Sequence, residues 1–200
     1  MQMILGQKLA VTKSELEQAL QSRAYTTPQI QLVAQAQSRK HALATLIASD
    51  AGLRAHELLT LLPSNERATS AHRTWTDERF TGRDDIVRYA VVGKGGLIRE
   101  VAISGELAEQ LESLRLDVPR SVTDRGIYYQ QHYDLGGGKQ WTDSFSKAAN
   151  RALGWSTGAH GVRHTYAQAR MKILQALGMH YEIALGIVSQ EMGHFRADIT

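Results

Sequence analysis

Ala159 to Arg170 reads AHGVRHTYAQAR, and the reading of this stretch decides the rest of the chain. It packs two histidines and two arginines into one expected helix, with Val162, Tyr166 and Ala169 at helical spacing on another face. His160 and Arg163 stand one turn apart, so their side chains leave the helix close together. Cationic and proton-transferring groups on one face repel each other, which makes sense when the partner is an anion such as a phosphate. A solvated polar face with one histidine satisfied in the core has the same local pattern, so the flanking sequence has to choose.

The chain has 200 residues, 42% apolar and 22% charged, the balance of a soluble globular domain with a sizeable core. It has no cysteine, which excludes disulfides and thiolate metal sites and fits a cytoplasmic protein. No apolar run is long enough to span a membrane. The start, MQMILGQKLAVTK, lacks the form of a secretory signal, because Gln7 and Lys8 interrupt its short apolar stretch. A net charge of +3 hints only mildly at a polyanion. The distribution says more: residues 139–172 carry six Lys/Arg, two His and a single acid, Asp143. Such a run is the footprint expected of a phosphate-backbone binder, and also of an ordinary solvated surface.

Along the chain, Ser14 and Glu17 form a capping box for a short helix to about Arg23, within a lead-in of residues 1–24. Thr27–Pro28 opens a helix expected to run to about Asp50, stopped by Gly52. A second short helix is expected from Arg54 to Leu61, ended by Pro63, with Arg54 and Glu57 one turn apart and able to pair. Its first turn would present Arg54 and backbone N–H groups to an anion. Residues from about Arg73 to Ile103 read as β, and Gly93-Lys94-Gly95-Gly96 places Lys94 at a hairpin tip. A tip lysine is ordinarily just solvated; beside a phosphate it would serve as a proton donor. Ser104 is expected to cap a helix to about Leu116. Asp117 to Thr142 reads as a polar connection holding Tyr128, Tyr129, Tyr133 and Trp141, aromatic groups able to stack on bases or to pack the loop. Helices are then expected from Asp143 to Leu153, from His160 to Leu177 with Ile173, Leu174 and Leu177 completing a buried stripe, and from Tyr181 to Met192.

GLRAHELLTL, then the GKGG hairpin, then HGVRHTY, then EMGH, in that order, resemble the catalytic domain of phage-integrase-type tyrosine recombinases. The resemblance covers residues 25–200, with Met192 where leucine is commoner in the family. It implies a mixed, mainly α fold with a small antiparallel β-sheet. It also implies site-specific DNA recombination by metal-independent transesterification through a 3′-phosphotyrosyl link. Arg54 and Arg163 would clamp the scissile phosphate and stabilise its transition state. Lys94 would protonate the leaving 5′ oxygen, His160 would help deprotonate the nucleophile, and His194 would hydrogen-bond the phosphate. Glu57 and His164 would support these from behind. No cofactor is expected, and the sequence has neither a P-loop nor a metal-ligand cluster. Double-stranded DNA is the implied partner, with a homo-tetramer on two sites as the implied assembly.

The family's nucleophilic tyrosine follows the glycine–histidine pair, yet Phe195 to Thr200 contains none. The expectation is therefore a catalytic domain that stops short of its nucleophile, which would lie after Thr200, and that holds a phosphate without cleaving DNA. A catalytically inactive DNA-binding regulator of the same fold, a type IB topoisomerase-like enzyme and an unrelated helical interaction protein are the alternatives.

Overall fold

The computed structural model describes residues 23–194, so the Ser14–Glu17 capping box and the segment after His194 lie outside the described residues. Helix α1, Thr27–Gln35, opens on the reciprocal cap of Thr26 and Gln29: the Gln29 amide donates to Thr26 Oγ1 at 3.4 Å and the Thr26 amide to Gln29 Oε1 at 2.8 Å. The single helix expected to Asp50 is in fact two. The chain turns at residues 36–38 and restarts at Ser38 as α2, Arg39–Ala51. Thr45 donates its hydroxyl to Gln37 Oε1 at 2.6 Å, tying the break to the second helix.

Gly52 stops α2 in the left-handed region, at φ 61° and ψ 40°. A β-carbon there would stand 2.5 Å from the Tyr166 ring, so glycine is needed both for the turn and for the close approach. The helix expected over 54–61 shrinks to a single 3-10 turn, Glu57–Leu59. The would-be helix start is consumed by its own side chain, because the Arg54 amide donates to Glu57 Oε2 at 2.7 Å.

Three antiparallel strands follow, β1 (Leu62–Pro63), β2 (Ile86–Val92) and β3 (Ile98–Ser104), in the order β1-β2-β3. The turn Lys94–Gly96 joins β2 to β3 as expected. The β assignment fails over 73–85, which is turns pinned to the far end of the chain: the Thr76 amide donates to Gln190 Oε1 and the Phe80 amide to Glu191 Oε1, both at 2.8 Å.

Helix α3 spans Gly105–Glu112, shorter than expected, with no side-chain cap from Ser104. The polar connection expected from Asp117 to Thr142 is instead a second ribbon, β4 (Arg115–Asp124) with β5 (Ile127–Tyr133). Arg125 (φ 51°) and Gly126 (φ 79°) make its two-residue turn, the geometry that matches strand twist. Pro119 sits where the register shifts between Arg115 and Arg120, a place where a missing N–H does no harm. Helix α4, Gly138–Leu153, begins five residues before the expected Asp143, and α5 (His160–Ala176) and α6 (Tyr181–Glu191) complete the fold.

The main core joins α1, α2, α4, the sheet and the start of α5 through Ile47, Leu58, Val101, Trp141, Phe145 and Val162. Trp141 Nε1–H donates to Thr45 Oγ1 at 2.9 Å, so its polar edge is satisfied inside. A second cluster, Tyr166, Leu174, Ile187, Val188 and Met192, packs α6 on α5. The stripe expected on α5 is only partly right: Leu174 is buried, but Ala169, Ile173 and Leu177 are exposed. The stripe turns with the helix, and α6 covers only the Tyr166–Leu174 side.

Candidate functional site

Three arginines from three parts of the chain converge behind one surface. Arg54 follows the Gly52 turn, Arg99 comes from β3 and Arg163 from the first turn of α5. Arg99 and Arg163 are almost completely buried, and the Arg54 side chain is 22% exposed. Burying guanidinium groups is costly unless each is paired. The fully buried Glu57 carboxylate is the common partner: Oε1 accepts from Arg54 Nη1 at 2.9 Å, Oε2 accepts from Arg99 Nη2 at 2.8 Å, and Arg163 Nη1 lies 3.9 Å from Oε2. Burial by itself pushes the Glu57 carboxyl up. Arg99, Arg163, Arg54 and the Arg54 amide reverse that and hold it well below the usual carboxylate range.

The remaining partners are main-chain carbonyls at two helix ends. Gly52 O, closing α2, accepts from Arg163 Nη1 and, at 3.5 Å, from Arg99 Nη2. At the end of α6, Glu191 O accepts from Arg99 Nη1, and Met192 O accepts from Arg163 Nη2 and, at 3.5 Å, from Arg54 Nη1. A helix C-terminus carries roughly half a negative charge. Two such ends and one carboxylate supply about −2 against the three guanidinium charges. The cluster keeps an excess of about one positive charge, directed to the side where Arg54 is exposed.

Two of the expected histidines border this cluster. His194 follows Gly193 (φ 71°), and its Nε2 lies 3.4 Å from Arg163 Nη2. Burial, then the charges of Arg163, Arg54 and Arg99, push the His194 imidazole down to about 4, so it is neutral at pH 7. His160 opens α5 and is exposed, with the His164 ring edge-on at 5.0 Å. Burial of part of the ring, His164, Arg163 and Arg54 all lower its proton affinity, so it too is available as a base. Burial also pulls the Arg163 guanidinium down, to about 9 against the opposing pull of Glu57, which leaves it charged at neutral pH.

Of the expected site residues, Arg54, Arg163, His194 and Glu57 are therefore in direct contact, and His160, edge-on to His164, stands one turn before Arg163. Lys94 touches none of them. It is exposed at its hairpin tip and lines, with Arg54, a groove of about 650 Å³. Arg163 is no free clamp, because both terminal nitrogens are already engaged. The basic run of 139–172 is likewise not one surface, since Arg163 and Arg170 face inward while Lys139, Lys147, Arg151 and Lys172 face out.

Sequence reasoning missed two residues. By sequence alone Arg99 is a single polar position in a strand-forming run. Its signal is its place in the alternation, since it falls on the inward face with Val101 and Ile103. Glu191 stands in the sequence only as the first residue of EMGH. It is buried and grips Arg170 through both oxygens, at 2.9 and 2.8 Å, while accepting from the Tyr166 hydroxyl at 2.8 Å. Burial and Glu191 hold the Tyr166 phenol far above its ordinary value, which makes it a structural tyrosine. Among the described residues no group of histidines and carboxylates could hold a metal ion, and no helix is long and apolar enough to cross a membrane.

No protein-family model matches the chain, and no curated protein sequence matches it. Solved structures do match its fold. XerH site-specific recombinase bound to difH substrate, in a pre-cleavage complex, superposes with a TM-score of 0.53 at 16% identity, covering 88% of this chain and 48% of that one. The XerH post-cleavage complex with palindromic difH gives 0.52 at 16% identity, covering 89% and 48%. XerA recombinase gives 0.52 at 16% identity, covering 88% and 56%. The chain thus spans about half the length of the recombinases it matches, and its fold is that of the tyrosine-recombinase catalytic domain.

Proposed function

We propose that residues 25–200 form the catalytic unit of a tyrosine site-specific recombinase, an integrase-type enzyme acting on double-stranded DNA, with residues 1–24 as a lead-in. The observation that carries this reading is the unbalanced arginine cluster, open to solvent at Arg54 and bordered by two neutral histidines. It is suited to a dianionic, trigonal-bipyramidal phosphorane with proton acceptors beside it.

In this scheme Arg54 hydrogen-bonds a non-bridging oxygen of the scissile phosphate. Arg163 contributes its charge through the contact with His194, which donates to a second oxygen. A tyrosine oxygen attacks phosphorus and His160 takes its proton. The bond to the 5′ oxygen breaks, and Lys94 protonates that oxygen as the turn closes on DNA. The 3′-phosphotyrosyl ester conserves the bond, so reversal onto another 5′ hydroxyl rejoins strands without ATP or metal.

In this scheme the buried tyrosines serve the fold and not the attack. Tyr89 and Tyr133 donate to Glu112, Tyr166 donates to Glu191, and Tyr25 is packed under Trp155. Family analogy adds a tetramer on two duplexes, and a chain without cysteine fits a cytoplasmic setting.

The test is DNA binding and strand cleavage in EDTA. The 200-residue chain is expected to bind a duplex several-fold more tightly than its Arg54→Ala variant and to form no covalent adduct on a nicked suicide substrate. Binding indifferent to Arg54 overturns the site. A covalent adduct overturns the placement of the nucleophile.

A further inference from the structure

The tip of the β4–β5 ribbon and the Lys94 turn line the same groove of about 650 Å³. Arg54, Arg67, Lys94 and Arg125 give it four cations among its lining residues. Its carboxylate, Asp124, is already in use, accepting from the Lys139 amide at 2.7 Å. The groove also has aromatic faces. Tyr129 stacks on His56 with ring centres 6.2 Å apart, which ties the ribbon to the turn carrying Arg54. Tyr128, beside it, is 78% exposed and Ile127 56%, both at a hairpin tip that the core does not need. The volume falls within the range of small-ligand sites, about 300–1,000 Å³, room for part of one strand and not for a duplex.

Cations interleaved with exposed aromatic faces are the chemistry of a nucleic-acid strand, which offers phosphates to the first and base or sugar faces to the second. Taking the reading above, in which Arg54 meets the scissile phosphate, we propose that this groove grips the DNA strand next to that phosphate. The face of Tyr128 lies against a base or sugar of that strand, and Arg125 against one of its phosphates. The ribbon and the Lys94 turn are then two jaws on one strand.

The experiment is fluorescence anisotropy of the 200-residue chain with a labelled duplex and its single strand, titrated over a range of salt. Tyr128→Ala is expected to weaken binding about tenfold, the size of one lost stacking contact, with the salt slope unchanged. Tyr128→Trp is expected to restore it. Arg125→Asn, which keeps the left-handed turn, is expected to lower the slope of log K against log salt by about 1. A ribbon that was merely structural would not separate the two readouts. Wild-type affinity in Tyr128→Ala, or no recovery with Trp, overturns the strand-gripping groove. If Tyr128→Ala weakens binding while Arg54→Ala does not, the groove stands and the phosphate site fails. If the wild-type chain binds neither probe, both fail.

Discussion

Glu57→Gln removes one charge and almost no volume, and its cost follows from the geometry. The carboxylate is fully buried, with Arg99 at 2.8 Å, Arg54 at 2.9 Å and Arg163 at 3.9 Å. Breaking a buried ion pair costs about 3–5 kcal/mol, because the stranded charge keeps its desolvation penalty. Glutamine retains one acceptor oxygen, and Arg54 is able to turn towards solvent, so the lower end of about 3 kcal/mol is expected. For a chain of this size that lowers Tm by roughly 6–12 °C. The pH dependence gives a sharper check. The folded-state pKa of Glu57 lies below its ordinary 4.5, so its contribution is fully present above the unfolded value and fades as pH falls towards the folded one. The gap in urea-unfolding free energy between wild type and Glu57→Gln is therefore expected to be constant from neutral pH down to the unfolded value and to narrow below it. A variant as stable as wild type at pH 7, or a gap that widens in acid, would refute the shared-counterion reasoning.

Gly52→Ala is expected to cost at least about 1 kcal/mol in chemical denaturation, since it forces a side chain into a left-handed turn and against the Tyr166 ring. The same change should weaken DNA binding, because Gly52 positions Arg54 and its carbonyl holds Arg163. An NMR titration of His194 should show a midpoint near 4, rising when Arg54→Met removes a neighbouring charge, and a midpoint at 6.5 would contradict its placement. With the folded value depressed, this histidine's stabilising share is present above 6.5 and is lost as pH falls towards 4. Glu191→Gln is expected to lose about 3–5 kcal/mol by stranding Arg170, and pairing it with Arg170→Met should recover much of that loss in thermal melts.

Most of the helices were legible because their periodicity and stops are local: Gly52 ends its helix by the means its sequence announces. The ribbon over 115–133 was hidden because Pro119 and a run of polar residues read as loop. The Val118, Val122, Ile127 and Tyr128 content was there, but its tip lacks the usual Asn-Gly signal. In the site, Arg54, Glu57 and Arg163 were visible as motif residues. Their partners were not, because Met192 O and Gly52 O are backbone atoms and carry no sequence signature. Lys94 stands at its hairpin tip as the glycine-flanked sequence predicts.

Because Gly52 O, Glu191 O and Met192 O are main-chain acceptors, part of what steadies the arginines depends on where two helices stop, whatever side chains they are made of. Substitution along α2 and α6 can therefore drift far without dislodging the guanidinium groups, while a single inserted or deleted residue in either helix would swing the supporting carbonyls away by about 100°. Insertion scanning is thus the kind of mutagenesis to which this site is most sensitive.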